Sequence, residues 1–248
     1  MKPFSRLVEL VNTALAFLRS MLALLVTTLF MILGWLLITL GLGKPALHFA
    51  PIWARLCLRI LGIRLVVHGR EHLPPQGQGF IAAASHSSGL DVLTHPSILP
   101  WDTRYVAKRE LAGIPLFGGA FERVGNLFVH RGGTEETRAA FNAGIRAQPH
   151  RPILIFPEGT RSLDGELRPL KLGFIHIAMA SEGMPVVPMV SRGAFELLAK
   201  GKKLPRPGVI ELFIGEPIPT DAWSKDAIEQ QALLVSEAMR ALRASGKR

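Results

Sequence analysis

The stretch "GFIAAASHSSGLDVL", residues 79–93, is predicted to join a short buried strand to the start of a helix. Its apolar run ends before His86, a glycine follows at position 89, and apolar residues resume at Leu90. Glycine tolerates the backbone angles of a tight turn, so the strand and the helix can follow each other directly. A strand that leads into a helix in this way is typical of α/β domains, whose functional side chains gather where the strands end.

The remainder of the chain repeats this alternation. Apolar stretches bounded by turn residues predict further strands in "TRYVAKREL", "GNLFVHR", "RPILIFPEGT", "MPVVPMV" and "GVIELFIGEPI". Helical spacing is present in "LDVLTHPSIL", "TEETRAAFNAGIRAQ" and "GFIHIAMASEG", and one face of a C-terminal helix contains Ile228, Ala232, Val235, Met239 and Leu242. We therefore expect a single α/β domain over residues 61–248.

Residues 1–60 have a different character. No charged residue occurs between Arg19 and Lys44. As a helix this run would be roughly 36 Å long, enough to cross a bilayer core of about 30 Å. An amphipathic helix is predicted just before this run. A signal peptide is disfavoured, because the run is not followed by a cleavage site and polar sequence. We expect residues 1–60 to form a helical membrane anchor, with a buried core helix as the alternative.

The orientation of this anchor stays open at the level of sequence. Basic residues flank both ends of the apolar run, so the positive-inside rule gives little direction and slightly favours both ends on the cytoplasmic side. A helix that spans the bilayer and a pair of helices that dip into one leaflet both fit this pattern.

Composition excludes some classes of site. The chain has a net charge of +10 and 48% hydrophobic residues. The charge suits nucleic acid, anionic lipid or an anionic small molecule, but the apolar segment and the lack of interleaved aromatic and basic residues oppose nucleic acid. The single cysteine, Cys57, rules out an internal disulfide, and the scattered histidines do not predict a zinc site.

His86 and Asp91 are the first candidate catalytic residues. With His86 at the exit of a strand and Asp91 in the first turn of the next helix, the carboxylate can accept a hydrogen bond from one ring nitrogen and leave the other basic. The alternative is that Ser88 and Asp91 form a capping box that only starts the helix. A hydrolase with Ser87 or Ser88 as nucleophile is disfavoured, because there is no G-x-S-x-G turn.

The second candidate site is "FPEGTRS", residues 156–162, which follows a buried apolar strand. Its proline-glycine turn presents Glu158, Gly159, Thr160 and Arg161 together. Turn amides, a hydroxyl and a guanidinium are suited to a phosphate monoester, which arginine can bind through two hydrogen bonds. The alternative is a polar hairpin with exposed charges.

Three further basic residues accompany these motifs. Arg168 and Lys171 in "RPLKLG" follow the second motif and add positive charge to the same region. Arg131 ends "GNLFVHR", where a solvated surface charge is the more common role of such an arginine.

Four short sequence blocks occur in a characteristic order along the chain. His86 to Asp91, Gly125 to Arg131, "FPEGTRS" and Met184 to Val190 occur in sequence downstream of an apolar segment. This arrangement resembles the glycerolipid acyltransferase family, and within it the 1-acyl-sn-glycerol-3-phosphate (lysophosphatidate) acyltransferases. "FPEGTRS" matches one sequence block of the family without change. "VAKREL" and "KLG" also resemble sequence features of the family. Ser85 stands where the family often has asparagine, and His130 replaces an acidic residue.

The resemblance implies an α/β fold with one mixed sheet and transfer of a fatty acyl group from acyl-CoA or acyl carrier protein to the sn-2 hydroxyl of lysophosphatidate. It implies His86 as general base and Asp91 as the residue that orients it. The implied substrate-binding residues are Arg131, Glu158, Gly159, Thr160, Arg161 and Lys171.

No cofactor beyond the acyl donor is expected, and the expected partners are membrane lipids, lysophosphatidate and the donor. The expected location is the cell membrane, the inner membrane if the protein is bacterial, with the catalytic domain on the cytoplasmic face. Another acceptor, such as lyso-ornithine lipid, and a non-catalytic membrane scaffold with the same fold are the remaining alternatives.

Overall fold

The computed structural model describes residues 2–129 and 134–245. The strands of the described part are β1 (Ile63–His68), β2 (Ile81–Ala84), β3 (Arg104–Lys108), β4 (Leu127–Val129), β5 (Ile153–Ile155), β6 (Val186–Arg192) and β7 (Gly208–Ile214). They form a seven-stranded sheet in the order β1-β7-β6-β2-β5-β3-β4. Within this sheet β6 and β7 are antiparallel and the other neighbouring pairs are parallel. The predicted α/β class and mixed sheet are confirmed.

The helices of the described residues surround this sheet. They are α1 (Lys2–Thr39), α2 (Gly43–Leu47), α3 (Phe49–Ile60), α4 (Asp91–Thr94), α5 (Phe117–Arg123), α6 (Glu135–Arg146), α7 (Gly173–Ala180), α8 (Ala194–Leu197) and α9 (Ile228–Ser245). The start of α6 is typical, because the Thr134 side chain accepts a hydrogen bond from the Thr137 amide and two glutamates occupy the first turn.

The central strand β2 explains why this segment determines the fold. All four of its residues are buried, since Ile81 and Ala83 pack against α7 and α9 on one face of the sheet, while Ala82 and Ala84 pack on the other. Strands covered on both faces are apolar throughout instead of alternating. The pairing of Ala83 with Ile155 brings the ends of β2 and β5 to the same edge of the sheet, so the residues that follow them are neighbours.

Helix α1 contains the apolar segment as one continuous helix. Its residues 6–39 are long and apolar enough to cross a membrane by length and composition, and few of them are buried. One face packs on α3, where the indole of Trp53 donates a hydrogen bond of 2.9 Å to Thr27 and the rings of Phe30 and Phe49 lie 5.4 Å apart. The other faces of α1 expose leucine and phenylalanine side chains.

Helix α4 and strand β1 differ from the sequence prediction. The segment that follows Leu90 was expected to be one helix, but α4 ends at Thr94, because Pro96 has no amide hydrogen to donate to the preceding turn. Strand β1 was not predicted, because it lies at the edge of the sheet and mixes apolar residues with Arg64.

Candidate active site

His86 and Asp91 form a hydrogen-bonded pair at the end of β2. The Nδ1 atom of His86 lies 3.0 Å from Oδ2 of Asp91. The aspartate is fully buried, while 17% of the histidine side chain is exposed. Because a carboxylate can only accept, Nδ1 carries the hydrogen and the basic lone pair lies on Nε2. The pair therefore has the geometry of a general base with its orienting carboxylate.

The carboxylate of Asp91 also organises the turn between β2 and α4. Its Oδ2 accepts hydrogen bonds of 2.8 Å from the backbone amides of Ser87 and Ser88, and the Ser88 hydroxyl accepts from the Leu90 amide. The helix-capping interpretation of this stretch and the catalytic one are thus compatible. The amides of Ser87 and Ser88 fix the carboxylate beside Nδ1 of His86, while the Leu90 amide is bound by the Ser88 hydroxyl at the helix start.

The turn of residues 156–162 is attached to the backbone of His86. Glu158 Oε1 accepts a hydrogen bond of 2.6 Å from the His86 amide, and Glu158 Oε2 accepts one of 3.0 Å from the Arg168 amide. The Ser162 amide in turn donates to the carbonyl of His86 at 2.9 Å. The two motifs therefore form one unit, in which the second motif binds both the backbone amide and the backbone carbonyl of His86.

This arrangement buries the Glu158 carboxyl, which is 2% exposed. Burial raises the pKa of Glu158, while the amide hydrogen bonds from His86 and Arg168 act in the opposite direction. A carboxylate held under the turn by two amides is suited to position His86 more than to contact a substrate.

Two aromatic residues that the sequence did not single out contact the pair. The ring of Phe156 stacks on His86, with centroids 4.1 Å apart, and the edge of His95 meets the same phenylalanine. His95 is fully buried, and its Nδ1 lies 2.9 Å from the carbonyl oxygen of Asp91. Burial lowers the pKa of His95. The i, i+4 spacing of Asp91 and His95 in a predicted helix was the one sequence signal for this contact.

Arg161, the cationic residue of the second motif, lies beside the His86–Asp91 pair, and Lys171 follows that motif in the chain. Arg161 Nη1 is 3.4 Å from the position that a Cβ atom at Gly89 would occupy, which places the guanidinium over the turn that connects His86 to Asp91. Gly159 has a positive φ of 69°, and a Cβ atom there would lie 3.5 Å from Cγ of Lys171. Gly159 is exposed, and the Thr160 and Arg161 side chains are partly exposed. Arg161 thus lies beside the turn of the His86–Asp91 pair, and Lys171 lies beside Gly159 of the second motif.

Arg131 lies outside the described residues. Strand β4, which precedes it, ends at Val129 beside Lys108 of β3.

Residues 198–206 close the other side of the turn. The Ser88 hydroxyl donates a hydrogen bond of 2.8 Å to the carbonyl of Leu198, and Ser88 also forms a bridge with Ala199. The loop beyond this bridge carries the exposed residues Lys200, Lys202, Lys203 and Arg206. A loop with four basic residues therefore begins next to Ser88. Among residues 2–129 and 134–245 no group of three or more histidine, cysteine or acidic side chains could hold a metal ion.

Comparison with known proteins agrees with these features. The family model described as Acyltransferase matches residues 64–192. A 1-acyl-sn-glycerol-3-phosphate acyltransferase from Limnanthes douglasii is 30% identical over 209 residues, which cover 84% of this chain and 72% of that protein. The 1-acyl-sn-glycerol-3-phosphate acyltransferase alpha of Homo sapiens is 30% identical over 183 residues, covering 73% of this chain and 64% of that protein.

A solved structure shows the same fold. The 1-acyl-sn-glycerophosphate (LPA) acyltransferase PlsC from Thermotoga maritima superimposes with a TM-score of 0.78 and 23% identity, over 97% of this chain and 98% of that chain. The resemblance stated from the four blocks is thereby confirmed. The chain belongs to the glycerolipid acyltransferase family.

Proposed function

We propose that the protein transfers a fatty acyl group from acyl-CoA or acyl carrier protein to the sn-2 hydroxyl of 1-acyl-sn-glycerol-3-phosphate, which gives phosphatidic acid. The observation that carries this proposal is the 3.0 Å contact between His86 and Asp91, next to a turn that bears Arg161. The similarity to two 1-acyl-sn-glycerol-3-phosphate acyltransferases supports lysophosphatidate as the acceptor.

The proposed reaction needs no nucleophile from the protein. His86 Nε2 takes the proton of the acceptor hydroxyl while the oxygen attacks the thioester carbonyl. The tetrahedral intermediate then collapses, the new ester forms, and the thiolate leaves and receives the proton from the imidazolium. Asp91 stabilises this imidazolium and keeps the ring in place. No bound cofactor is required, because the thioester already supplies an activated acyl group.

The phosphate of the acceptor is proposed to bind at the opening of the second motif. Arg161 can offer two parallel hydrogen bonds to phosphate oxygens. Gly159 and Thr160 precede it in the same turn, and Lys171 lies beside Gly159. Arg131 is proposed to add a further positive charge. We assign Glu158 to the support of the His86 backbone, since two amides occupy its carboxylate.

An apolar groove supports contact with an acyl chain. It has a volume of about 170 Å³ and lies between α1, the start of α3, and α5. Aromatic side chains line much of it: Phe30, Trp35, Phe49, Phe117 and Phe121. Strand β6 does not contribute to such a route, because Val186, Val187, Met189 and Val190 are fully buried in the core of the domain.

Residues 1–60 are proposed to anchor the domain in the cell membrane, or the inner membrane if the protein is bacterial, with the domain on the cytoplasmic face. Of the two dispositions left open by the sequence, we favour the one in which the helices of this segment dip into one leaflet. Helix α1 contacts α3 at Ala23, Thr27 and Phe30, so a perpendicular span would carry α3 into the bilayer. That helix exposes two arginines, Arg55 and Arg59, which are costly at the bilayer centre.

An assay of the purified full-length protein in detergent tests the proposal. Labelled acyl-CoA and labelled acyl carrier protein are each offered with lysophosphatidate, lysophosphatidylcholine or lyso-ornithine lipid, and His86→Ala is the control. Phosphatidic acid formed with lysophosphatidate and absent from the control is the expected result. Product from lyso-ornithine lipid alone would overturn the acceptor assignment. The lack of product from every combination would indicate a non-catalytic scaffold.

A further inference from the structure

Ser191, near the end of β6, contacts the catalytic pair from a third strand. We infer that Ser191 is a positioning residue for the acyl transfer, which acts by holding the second carboxylate oxygen of Asp91. This inference rests on the proposed function of His86 and Asp91. Ser191 belongs to none of the motifs that the sequence singled out, because it follows the last of the four blocks.

The contact is direct and buried. The hydroxyl of Ser191 donates a hydrogen bond of 3.0 Å to Asp91 Oδ1, and Ser191 itself is 2% exposed. Its backbone is fixed as well, since the Ser191 amide donates to the Ser85 hydroxyl at 3.1 Å and the Ser85 amide donates to the Met189 carbonyl at 2.9 Å. The pairing of β2 with β6 thus fixes the position of Ser191.

The two oxygens of the Asp91 carboxylate are supported unequally. Oδ2 accepts from His86 Nδ1 and from the amides of Ser87 and Ser88. Within the described residues, the recorded hydrogen bond to Oδ1 comes from Ser191. Rotation about the last bond of an aspartate side chain is soft, so a donor on Oδ1 fixes the plane in which Oδ2 meets the histidine. Loss of this donor leaves a buried carboxylate oxygen without its partner.

The hydroxyl also affects how tightly the pair holds a proton. Donation to Oδ1 stabilises the ionised carboxylate, and without it the carboxylate becomes more basic and favours the protonated imidazole of His86. The other titratable groups around the pair are His95 after α4, and Glu158 and Arg161 in the turn after β5. Replacement of Ser191 changes none of them directly. A purely structural serine would alter the thermal stability and leave the titration of His86 unchanged.

The test compares Ser191→Ala with Ser191→Thr, which retains the hydroxyl. The control is Ser181→Ala, since Ser181 is equally buried and its hydroxyl donates to the Ala178 carbonyl far from the site. For each full-length protein in detergent, kcat and KM for lysophosphatidate and the acyl donor are measured against pH. The titration of the histidine rings is followed by NMR, with His86→Ala used to assign the His86 signal.

We expect Ser191→Ala to lower kcat by about 10- to 100-fold, the size of one hydrogen bond to a charged group, with little change in either KM. The acidic limb of the pH profile and the His86 titration should both move to higher pH. Ser191→Thr should restore both properties and Ser181→Ala should change neither. In an Asp91→Asn background, adding Ser191→Ala should lower kcat only slightly further.

An unchanged His86 titration in a folded Ser191→Ala protein would overturn the inference. The inference would also fail if Ser191→Ala lowered kcat by the same factor in the Asp91→Asn background as in the wild-type protein. The NMR titration does not depend on turnover. It therefore tests the role of Ser191 even if the acceptor is a lipid other than lysophosphatidate. Failure of the proposed function appears differently, as wild-type protein that makes no phosphatidic acid.

Discussion

The Oε1 atom of Glu158 lies 2.6 Å from the backbone nitrogen of His86, although the two residues are 72 positions apart in the chain. This contact joins the two motifs that carry the proposed chemistry. It also separates two roles within "FPEGTRS", because Glu158 is buried in the protein while Arg161 is partly exposed beside Gly89.

Glu158→Gln should lower kcat by about tenfold and leave the KM for lysophosphatidate within about twofold. The amide group of glutamine keeps the shape of the side chain but presents its own N–H to one of the two backbone donors. Unfolding should become easier by about 1–3 kcal/mol for the same reason. Steady-state kinetics and thermal unfolding measure the two effects. Glu136→Gln, at an exposed position of α6, is the control. An increase in KM for the acceptor with kcat intact would show instead that Glu158 contacts the substrate.

Arg161→Ala should weaken the binding of lysophosphatidate far more than that of the acyl donor. Loss of a charge-assisted contact to phosphate corresponds to an increase of about tenfold or more in the KM for lysophosphatidate. Arg161→Lys should recover part of this loss, because lysine keeps the charge but not the paired hydrogen bonds. Arg138→Ala, at an exposed position on α6, serves as the matched control. An equal loss for both substrates would argue against a phosphate contact.

His95 should make the folded protein sensitive to acid. Burial lowers its pKa in the folded state from 6.5, so below about pH 6.5 the unfolded chain binds a proton that the folded chain does not. The stabilisation is therefore complete above this pH and is lost as the pH falls. His95→Asn keeps a donor for the Asp91 carbonyl and removes the titration. Between about pH 8 and about pH 5, the thermal unfolding temperature should fall less for the variant than for the wild-type protein. Identical losses would mean that His95 does not titrate differently in the two states.

The placement of α1 in one leaflet predicts that both of its ends are accessible from the side of the domain. Cysteines introduced at Glu9 and at Leu42, both exposed, should react with a membrane-impermeant maleimide from the same side of sealed vesicles. Lys202→Cys marks the side of the domain, and the buried Cys57 provides the background. Labelling of the two ends from opposite faces would establish a transmembrane span.

The sequence was sufficient for the features that depend on neighbouring residues. The apolar strand before His86, the glycine at position 89 and the helix start at Asp91 lie within one short stretch, so the pair could be predicted from it. The turn that carries Arg161 was predicted for the same reason. The long apolar helix followed from composition alone.

Contacts between distant segments were beyond the sequence. Ser191 is 100 positions from Asp91, and the choice of which strands pair decides whether they meet. The antiparallel pairing of β6 with β7 and the addition of β1 at the edge were equally invisible, since a strand pattern does not encode its neighbour. The amides bound by Glu158 are a further example, because backbone donors have no sequence signature.

The direct test of the central claim is the rate of phosphatidic acid formation by purified His86→Ala protein, with labelled donor and lysophosphatidate. His176→Ala, at an exposed position of α7, is the control, and flotation with vesicles verifies membrane attachment. General-base catalysis by His86 predicts a fall of about 10²- to 10⁴-fold in rate for His86→Ala, with attachment and the control unaffected. A His86→Ala protein that forms phosphatidic acid at the wild-type rate would contradict the account.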